Sequence, residues 1–316
     1  MFFCRRAGGR PAKPRKAAKV RSFAKVNLSL NITGAADGYH LLDTVVAGID
    51  VYDTVCAKAR RDGLVNVYMH GRGSEGIPPA QNNAVKAGEA FVSAFGTRGA
   101  DIEIYKDIPI GAGLGGSSAD AAGVLNAMAA LYAVPREELI PLAEKLGSDT
   151  PFLLVGGYAR LGGRGERVQP IAVPRPLSML LVWPASPVST AACYREYDNE
   201  PDPPREDSAR LCAALRQGDF AGVAANVYNA LQRPACTLNP EVTAALAAVR
   251  ALSPAACAVT GSGSAVFALF ESEELCAWAK SRLRGPFSSR VVRTPAPPRT
   301  LYTPFALRPG EGAPEK

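Results

Sequence analysis

The chain has 316 residues, 47% of them hydrophobic, with a formal net charge of +7; at that length two domains are the default expectation. No stretch nears the roughly twenty uninterrupted apolar residues that a membrane span needs, so no membrane partner is expected. Seven scattered cysteines without a C-x-x-C pair read as reduced thiols of a cytoplasmic-type compartment, and with only His40 and His70 for imidazole ligands no metal ligands are assigned.

The positive charge is concentrated at one end. Residues 1–24 hold eight of the 36 basic side chains and no acid, leaving 28 basic against 29 acidic residues elsewhere. Residues 1–21 are therefore expected to form a basic, disordered extension, with plastid targeting or nucleic-acid contact as alternatives, and the nearly neutral body makes a nucleic-acid partner the weaker one. Next, residues 22–32 and 45–57 alternate as strands about a turn at Gly34, Asp37 and Gly38, and Val65–His70 continues the pattern. An amphipathic helix is expected over Asn83–Phe95, and residues 102–105 form a short strand.

That strand feeds Pro109, Ile110, Gly111, Ala112, Gly113, Leu114, Gly115, Gly116, Ser117, Ser118 and Ala119, and an alanine-rich helix is expected over 119–133. A helix N-terminus carries unpartnered N–H groups and about half a positive charge, and glycines let a phosphate approach it. Ser117 and Ser118 can cap the helix or donate to phosphate. Gly111, Gly113 and Gly116 also satisfy G-x-G-x-x-G, but the acids about twenty residues on, Glu137 and Glu138, end no strand, which excludes the dinucleotide fingerprint. Ser117 stands where a P-loop needs lysine. Positive charge for a triphosphate must come from elsewhere, with Lys25 and Lys106 as candidates.

A second helix over 135–146 stops at Gly147-Ser148-Asp149-Thr150-Pro151, and residues 152–168 read as a glycine-rich hairpin. Three prolines within 170–176 mark a domain boundary. Beyond it come a strand over 177–183, helices over 208–216 and 240–252, a strand pair flanking Gly261-Ser262-Gly263-Ser264, a helix over 273–283, a strand over 289–293 and a proline-rich end.

With the loop, the Gly147 to Phe152 segment and Thr260-Gly261-Ser262-Gly263-Ser264 in that order, the chain resembles the GHMP family of small-molecule kinases. Ala24-Lys25-Val26-Asn27-Leu28, Asp37-Gly38-Tyr39-His40 and Val188-Ser189-Thr190-Ala191 make it similar to the branch whose acceptor is a cytidylyl methylerythritol. The resemblance implies an α+β, two-domain architecture: an N-terminal ATP-binding α/β domain over 22–170, a C-terminal ferredoxin-like α/β sandwich over 176–294, and a proline-rich tail over 295–316. It implies ATP as co-substrate, Mg2+ arriving with the nucleotide and no dedicated protein metal site. The acceptor carries a cytidine diphosphate group whose 2-hydroxyl takes the γ-phosphoryl, in the non-mevalonate isoprenoid route, by a monomer or homodimer in a bacterial-type cytoplasm. Another GHMP kinase of homoserine or mevalonate type, or a non-catalytic nucleotide-binding regulator, are the competing readings.

By the same resemblance Asp149 is the base and Lys25 the cation that orients it. Asn83 and Lys106 fall on the ATP side with residues 109–119, and Asn27 and Thr190 contact the substrate arm. Tyr39 and Tyr194 are the two aromatic walls for the cytosine, with His40 at the base edge. Taken alone, an aspartate beside a helix end is most often a cap. The loop departs from the family pattern at Ser117, which replaces a glycine, and Ala119, which replaces a serine; Asn229-Ala230-Leu231-Gln232 lacks two family acids and receives no role.

Overall fold

The computed structural model describes residues 15–71, 82–203 and 205–295. Two long strands, β1 (Ala17–Ala36) and β2 (Tyr39–Ala59), pair antiparallel and close on Asp37-Gly38. Both turn residues have positive φ, +51° and +76°, and Ala36 pairs with Tyr39. This is a two-residue hairpin of the type whose twist matches its strands, for which Asp-Gly is a preferred pair. β1 starts before the residue 22 expected from alternation, so residues 17–21 are laddered rather than part of an extension; the tail expectations for 1–14 and 296–316 lie outside the described residues.

The first sheet adds β3 (Val65–His70), β4 (Ala100–Tyr105), β5 (Tyr158–Gly163) and β6 (Arg167–Pro170). β4 and β5 both pair with β2, at its C-terminal and N-terminal halves respectively, and β3 and β6 extend them. A second, four-stranded sheet follows the proline segment, made of β7 (Ser178–Trp183), β9 (Ala256–Val259), β10 (Val266–Phe270) and β11 (Ser288–Arg293) in the order β11-β7-β10-β9. Its first and third strands sit side by side in the centre, as in a ferredoxin-like sheet. The short β8 (Tyr228–Asn229) crosses back to pair parallel with β1 at Ser29 and Leu30.

Both faces of the second sheet are buried, and strand parity divides them. Met179, Leu181, Phe267 and Leu269 join the core beneath the first sheet, while Leu180, Val182, Val266 and Ala268 pack into a second core. That second core is closed by α5 (Thr190–Asn199), α8 (Gln232–Leu238), α9 (Pro240–Arg250) and α10 (Glu273–Arg282).

In the first core α2 (Gly116–Tyr132) is buried on nearly every side, which is why it shows no polar stripe. Its small residues permit close approach to the sheet; a Cβ on Gly123 would meet Val55 Cγ2 at 2.7 Å. α1 (Asn83–Phe95) and α3 (Ile140–Leu146) flank it. α3 is preceded by a 3-10 turn, Arg136–Leu139, which splits the helix expected over 135–146.

The hairpin expected over 152–168 is corrected. Its first part is a helix, α4 (Thr150–Val155), and only β5 and β6 form the hairpin. Pro151 occupies the first helical turn and Gly156 closes the helix at φ +77°, so residues read as a stop for one helix also start the next. α6 (Asp207–Gln217) packs against β1 and β2, and α7 (Phe220–Ala225) packs against α6.

Candidate active site

The glycine loop works by alternation. Ala112 and Leu114 are buried and anchor it, while Gly111, Gly113 and Gly115 between and beside them take φ of +69°, +76° and +75°. The loop is strapped on two sides: Lys25 N donates to Leu114 O at 3.1 Å, and Ala265 N donates to Ala112 O at 3.0 Å. Gly113 lies so close to the 260–263 turn that a Cβ there would press on two backbone carbonyl oxygens, those of Thr260 and Gly263. Pro109 and Ile110 lead in from the edge, with Ile110 exposed.

α2 begins at Gly116, ahead of the residue 119 expected. Its N-cap is Gly115 and no side chain caps it, so neither Ser117 nor Ser118 plays that part. The first backbone bond of the helix is Ala119 N to Gly115 O, leaving the N–H groups of Gly116, Ser117 and Ser118 without an intrahelical acceptor. Asn83 Nδ2 donates to Ser117 Oγ at 3.0 Å, which ties the start of α1 to the loop. A Cβ on Gly147 would stand 3.3 Å from Ser118 Oγ and 3.2 Å from Thr150 Oγ1, and that buried Thr150 hydroxyl has no hydrogen-bond partner.

Lys25 stands in β1 with its side chain 6% exposed; its ammonium donates to Asn27 Oδ1 at 2.7 Å and lies 3.3 Å from Asp149 Oδ2. Asp149 occupies the N-cap position of α4 yet makes no capping bond; its carboxylate, 30% exposed, turns to Lys25 instead. The lysine stem runs against the loop, its Cγ 3.2 Å from where a Gly115 Cβ would be. Asn27 is held by Thr44 and Thr260: its Nδ2 donates to Thr44 Oγ1 at 2.9 Å and its backbone N donates to Thr260 Oγ1 at 2.9 Å. Neither Thr44 nor Thr260 received a role from the sequence: Thr44 is a lone threonine in a strand, whereas Thr260 opens the Thr260-Gly261-Ser262-Gly263-Ser264 motif, which marked the turn but not its contact with Asn27.

Lys106 also lies under the loop, near Gly116, but it does not supply free positive charge. Its ammonium is buried between Asp53 Oδ2 at 2.5 Å and Asp120 Oδ2 at 2.6 Å. Burial, reinforced by the second carboxylate and opposed by Lys106, holds the Asp120 carboxyl above the usual carboxylate range. The two aspartates hold Lys106 above its ordinary value against the opposing effect of burial.

Around the Lys25–Asp149 pair the structure gathers some of the expected binding residues and separates others. His40 stacks on Tyr194 with ring centroids 4.7 Å apart, and its Nε2 is 2.7 Å from Asp198 Oδ1. Burial, with the Asp149 carboxylate adding to it, raises the Tyr194 phenol above its ordinary value. Thr190 Oγ1 shares a hydrogen bond of 2.8 Å with Ser262 Oγ, bringing the start of α5 to the 260–263 turn. Tyr39 faces elsewhere: 56% exposed, its ring lies under the Arg164 guanidinium. The tight Asp37-Gly38 turn places Tyr39 and His40 in the ladder itself, so consecutive side chains point to opposite faces and Tyr39 does not oppose Tyr194 as a second wall.

Asn229, given no role from the sequence, holds the same turn from behind: its Nδ2 donates to Val259 O at 2.7 Å and Gly261 O at 2.8 Å. Among the described residues no group of three His, Cys, Asp or Glu side chains could hold a metal, and no helix is long and apolar enough to cross a membrane. The six described cysteines are free thiols.

Residues 82–157 match the family model of the GHMP kinases N terminal domain, and residues 211–285 that of the GHMP kinases C terminal domain. The 4-diphosphocytidyl-2-C-methyl-D-erythritol kinase of Cutibacterium acnes is 40% identical over 256 residues, covering 77% of this chain and 83% of that protein. Its counterpart in Streptomyces coelicolor is 37% identical over 287 residues, covering 87% of this chain and 95% of that protein. A crystal structure of 4-(cytidine 5'-diphospho)-2C-methyl-D-erythritol kinase superposes with a TM-score of 0.71 at 34% identity, covering 87% of this chain and 98% of that one. A homoserine kinase from Cytophaga hutchinsonii superposes as well, with a TM-score of 0.72, but at 18% identity it shares the fold alone. By its loop geometry and these relatives, the chain belongs to the 4-diphosphocytidyl-2-C-methyl-D-erythritol kinase family of the GHMP kinases.

Proposed function

We infer that the chain is an ATP-dependent kinase that transfers the γ-phosphoryl group to the 2-hydroxyl of 4-diphosphocytidyl-2-C-methyl-D-erythritol. The observation that carries the chemistry is the turn of Asp149 away from its own helix end and toward Lys25, beside the loop at Gly115. The cytidylyl acceptor rests on the relatives, since the homoserine kinase fold is the same and does not choose between substrates.

In this reading the triphosphate lies along residues 109–119, with the unpaired N–H groups of Gly116, Ser117 and Ser118 facing its oxygens and Asn83 bracing Ser117. Magnesium enters as part of the nucleotide substrate, and the hydroxyls of Ser118 and the unpartnered Thr150 fit its water shell or the phosphate. Asp149 accepts the proton of the acceptor hydroxyl as its oxygen bonds to the γ-phosphorus; the bond from that phosphorus to the β–γ bridging oxygen breaks, and ADP leaves. Lys25, fixed by Asn27, orients the carboxylate and offsets charge on the transferring group. The base approaches the His40–Tyr194 stack, with Thr190 toward the diphosphate arm. The proposed domain limits are 22–170 and 176–294, although β1 already begins at Ala17 and β8 returns to the first sheet.

Phosphate transfer from ATP is measured for the cytidylyl methylerythritol, homoserine and mevalonate side by side. Turnover of the first alone is the expected result. Turnover of homoserine or mevalonate at equal efficiency overturns the reading, and ATP binding without turnover of any of the three would favour a non-catalytic regulator.

A further inference from the structure

A cavity of about 580 Å³ lies among β1, β2, the C-terminal half of α2 and α4, and none of residues 109–119 lines it. It is therefore separate from the phosphate loop. That volume falls in the range of roughly 300–1,000 Å³ typical of small-molecule sites. Its walls are mostly apolar, with Phe23, Ala130, Val134 and Leu154 among them.

At this cavity one cation lacks a carboxylate partner and one buried amide oxygen lacks a hydrogen bond. Arg136, half-buried, donates through Nη2 to Leu154 O at 2.9 Å; among the described residues no carboxylate is within ion-pair distance of it. Burial pushes the Arg136 guanidinium below its ordinary value, since only the neighbouring Glu137 opposes the loss of solvent. Asn126 Oδ1 is buried and has no hydrogen-bond partner. The one carboxylate that lines the cavity, Asp50, is engaged elsewhere, accepting from Arg293 N at 2.7 Å. Arg15 and Arg21 line the cavity as well, so a largely apolar chamber with three guanidinium groups and one carboxylate at its wall calls for an anion that brings its own hydrocarbon.

We propose that this cavity is a second ligand site, which takes a small anion with a hydrocarbon tail: the tail lies along Phe23, Ala130 and Leu154, and the head pairs with Arg136. Carboxylate and phosphate heads share this chemistry, because a guanidinium offers two parallel N–H donors to either. The site is independent of the kinase reading, since it needs neither ATP nor the acceptor.

Titration calorimetry on the full chain tests it with decanoate and decyl phosphate as probes, and with decanol and acetate as comparators lacking the head or the tail. The expected result is saturable binding of one or both anions, at least tenfold tighter than either comparator; the better of the two identifies the head. Arg136→Gln weakens binding at least tenfold and Arg136→Lys restores part of it, while Ala130→Leu, which fills the chamber, removes it. Kinase turnover without a probe stays at the wild-type level in Arg136→Gln, so failure here is distinguishable from failure of the proposed reaction. No saturable binding of either anion, or binding unchanged in Arg136→Gln or in folded Ala130→Leu, overturns the proposal.

Discussion

Gly113→Ala isolates the geometry of the phosphate loop from its general stability. At φ +76° an alanine carries the left-handed penalty of about 1–2 kcal/mol. Its Cβ would also press on the carbonyl oxygens of Thr260 and Gly263, the latter at 2.8 Å, and because both belong to the backbone neither can rotate aside. Overpacking of this kind adds roughly 1–3 kcal/mol, for a total of about 2–5 kcal/mol. The loop must also shift by roughly an ångström, and a misplacement of that size costs about 10²-fold in rate. Gly96→Ala is the control: φ is +60° and a Cβ there meets nothing within 4 Å, so only the conformational term of about 1–2 kcal/mol applies. Urea denaturation midpoints and steady-state kinetics at varied ATP are measured for both. The reasoning is refuted if Gly113→Ala loses no more stability than Gly96→Ala, or if its kcat/KM for ATP equals that of the wild type.

Asp149→Asn keeps the shape of the side chain and removes the proton acceptor, so turnover falls by about 10²–10⁴-fold while ATP binding by fluorescence titration is retained; near-normal turnover of a folded variant refutes the base assignment. Tyr194→Ala removes a stacking face worth roughly 1–3 kcal/mol, and the KM for the cytidylyl substrate rises more than that for ATP; equal rises count against the aromatic site. Because the folded-state value of Asp120 is raised, the native protein holds a proton that the unfolded chain has released, so stability falls as pH rises above the ordinary carboxylate range. Asp120→Asn lacks this dependence, and the stability difference, variant minus wild type, grows from about pH 4 to about pH 7 and levels off above it; a difference that is flat with pH in denaturation curves refutes the buried-carboxylate account.

Local chemistry was legible in the sequence where a single segment carries it. The phosphate loop could be read because its glycines serve a backbone need, and the structure puts positive φ at Gly111, Gly113 and Gly115. β1 could be read because apolar and polar residues alternate over 22–32, although the structure buries both faces over 24–32. What spacing cannot convey is which distant residues meet: Lys25 and Asp149 are joined only by the fold, and their pairing came from the family resemblance. Tyr39 and His40 were legible as a motif, but their divergence depends on whether the turn before them spans two residues or more. α4 was hidden because Gly147, Pro151 and Gly156 all read as breakers, although Pro151 sits at a helix start where proline is tolerated. The partners of Lys106 were hidden too, since Asp53 and Asp120 each fit an ordinary polar position in a strand or helix.

The two lysines beneath the loop show how the site solves the missing P-loop lysine. Lys106 is the nearer in sequence to the loop, but its ammonium is held between Asp53 and Asp120 and its charge is already neutralised within that buried cluster. Lys25 is held by a neutral amide and by one carboxylate that is partly open to solvent. A phosphate oxygen at about 4 Å from such an ammonium interacts by about 4 kcal/mol at an effective dielectric of 20, whereas the same oxygen near the Lys106 cluster meets a charge already neutralised by its partners. The division has a structural logic: the carboxylates that neutralise Lys106 anchor the sheet to the first turn of α2, and Asp53 Oδ1 also accepts from the backbone of Asp107 and Ile108, fixing the entry to the loop. One lysine thus sets where the loop sits, and the other remains available to the charge that the loop is built to receive.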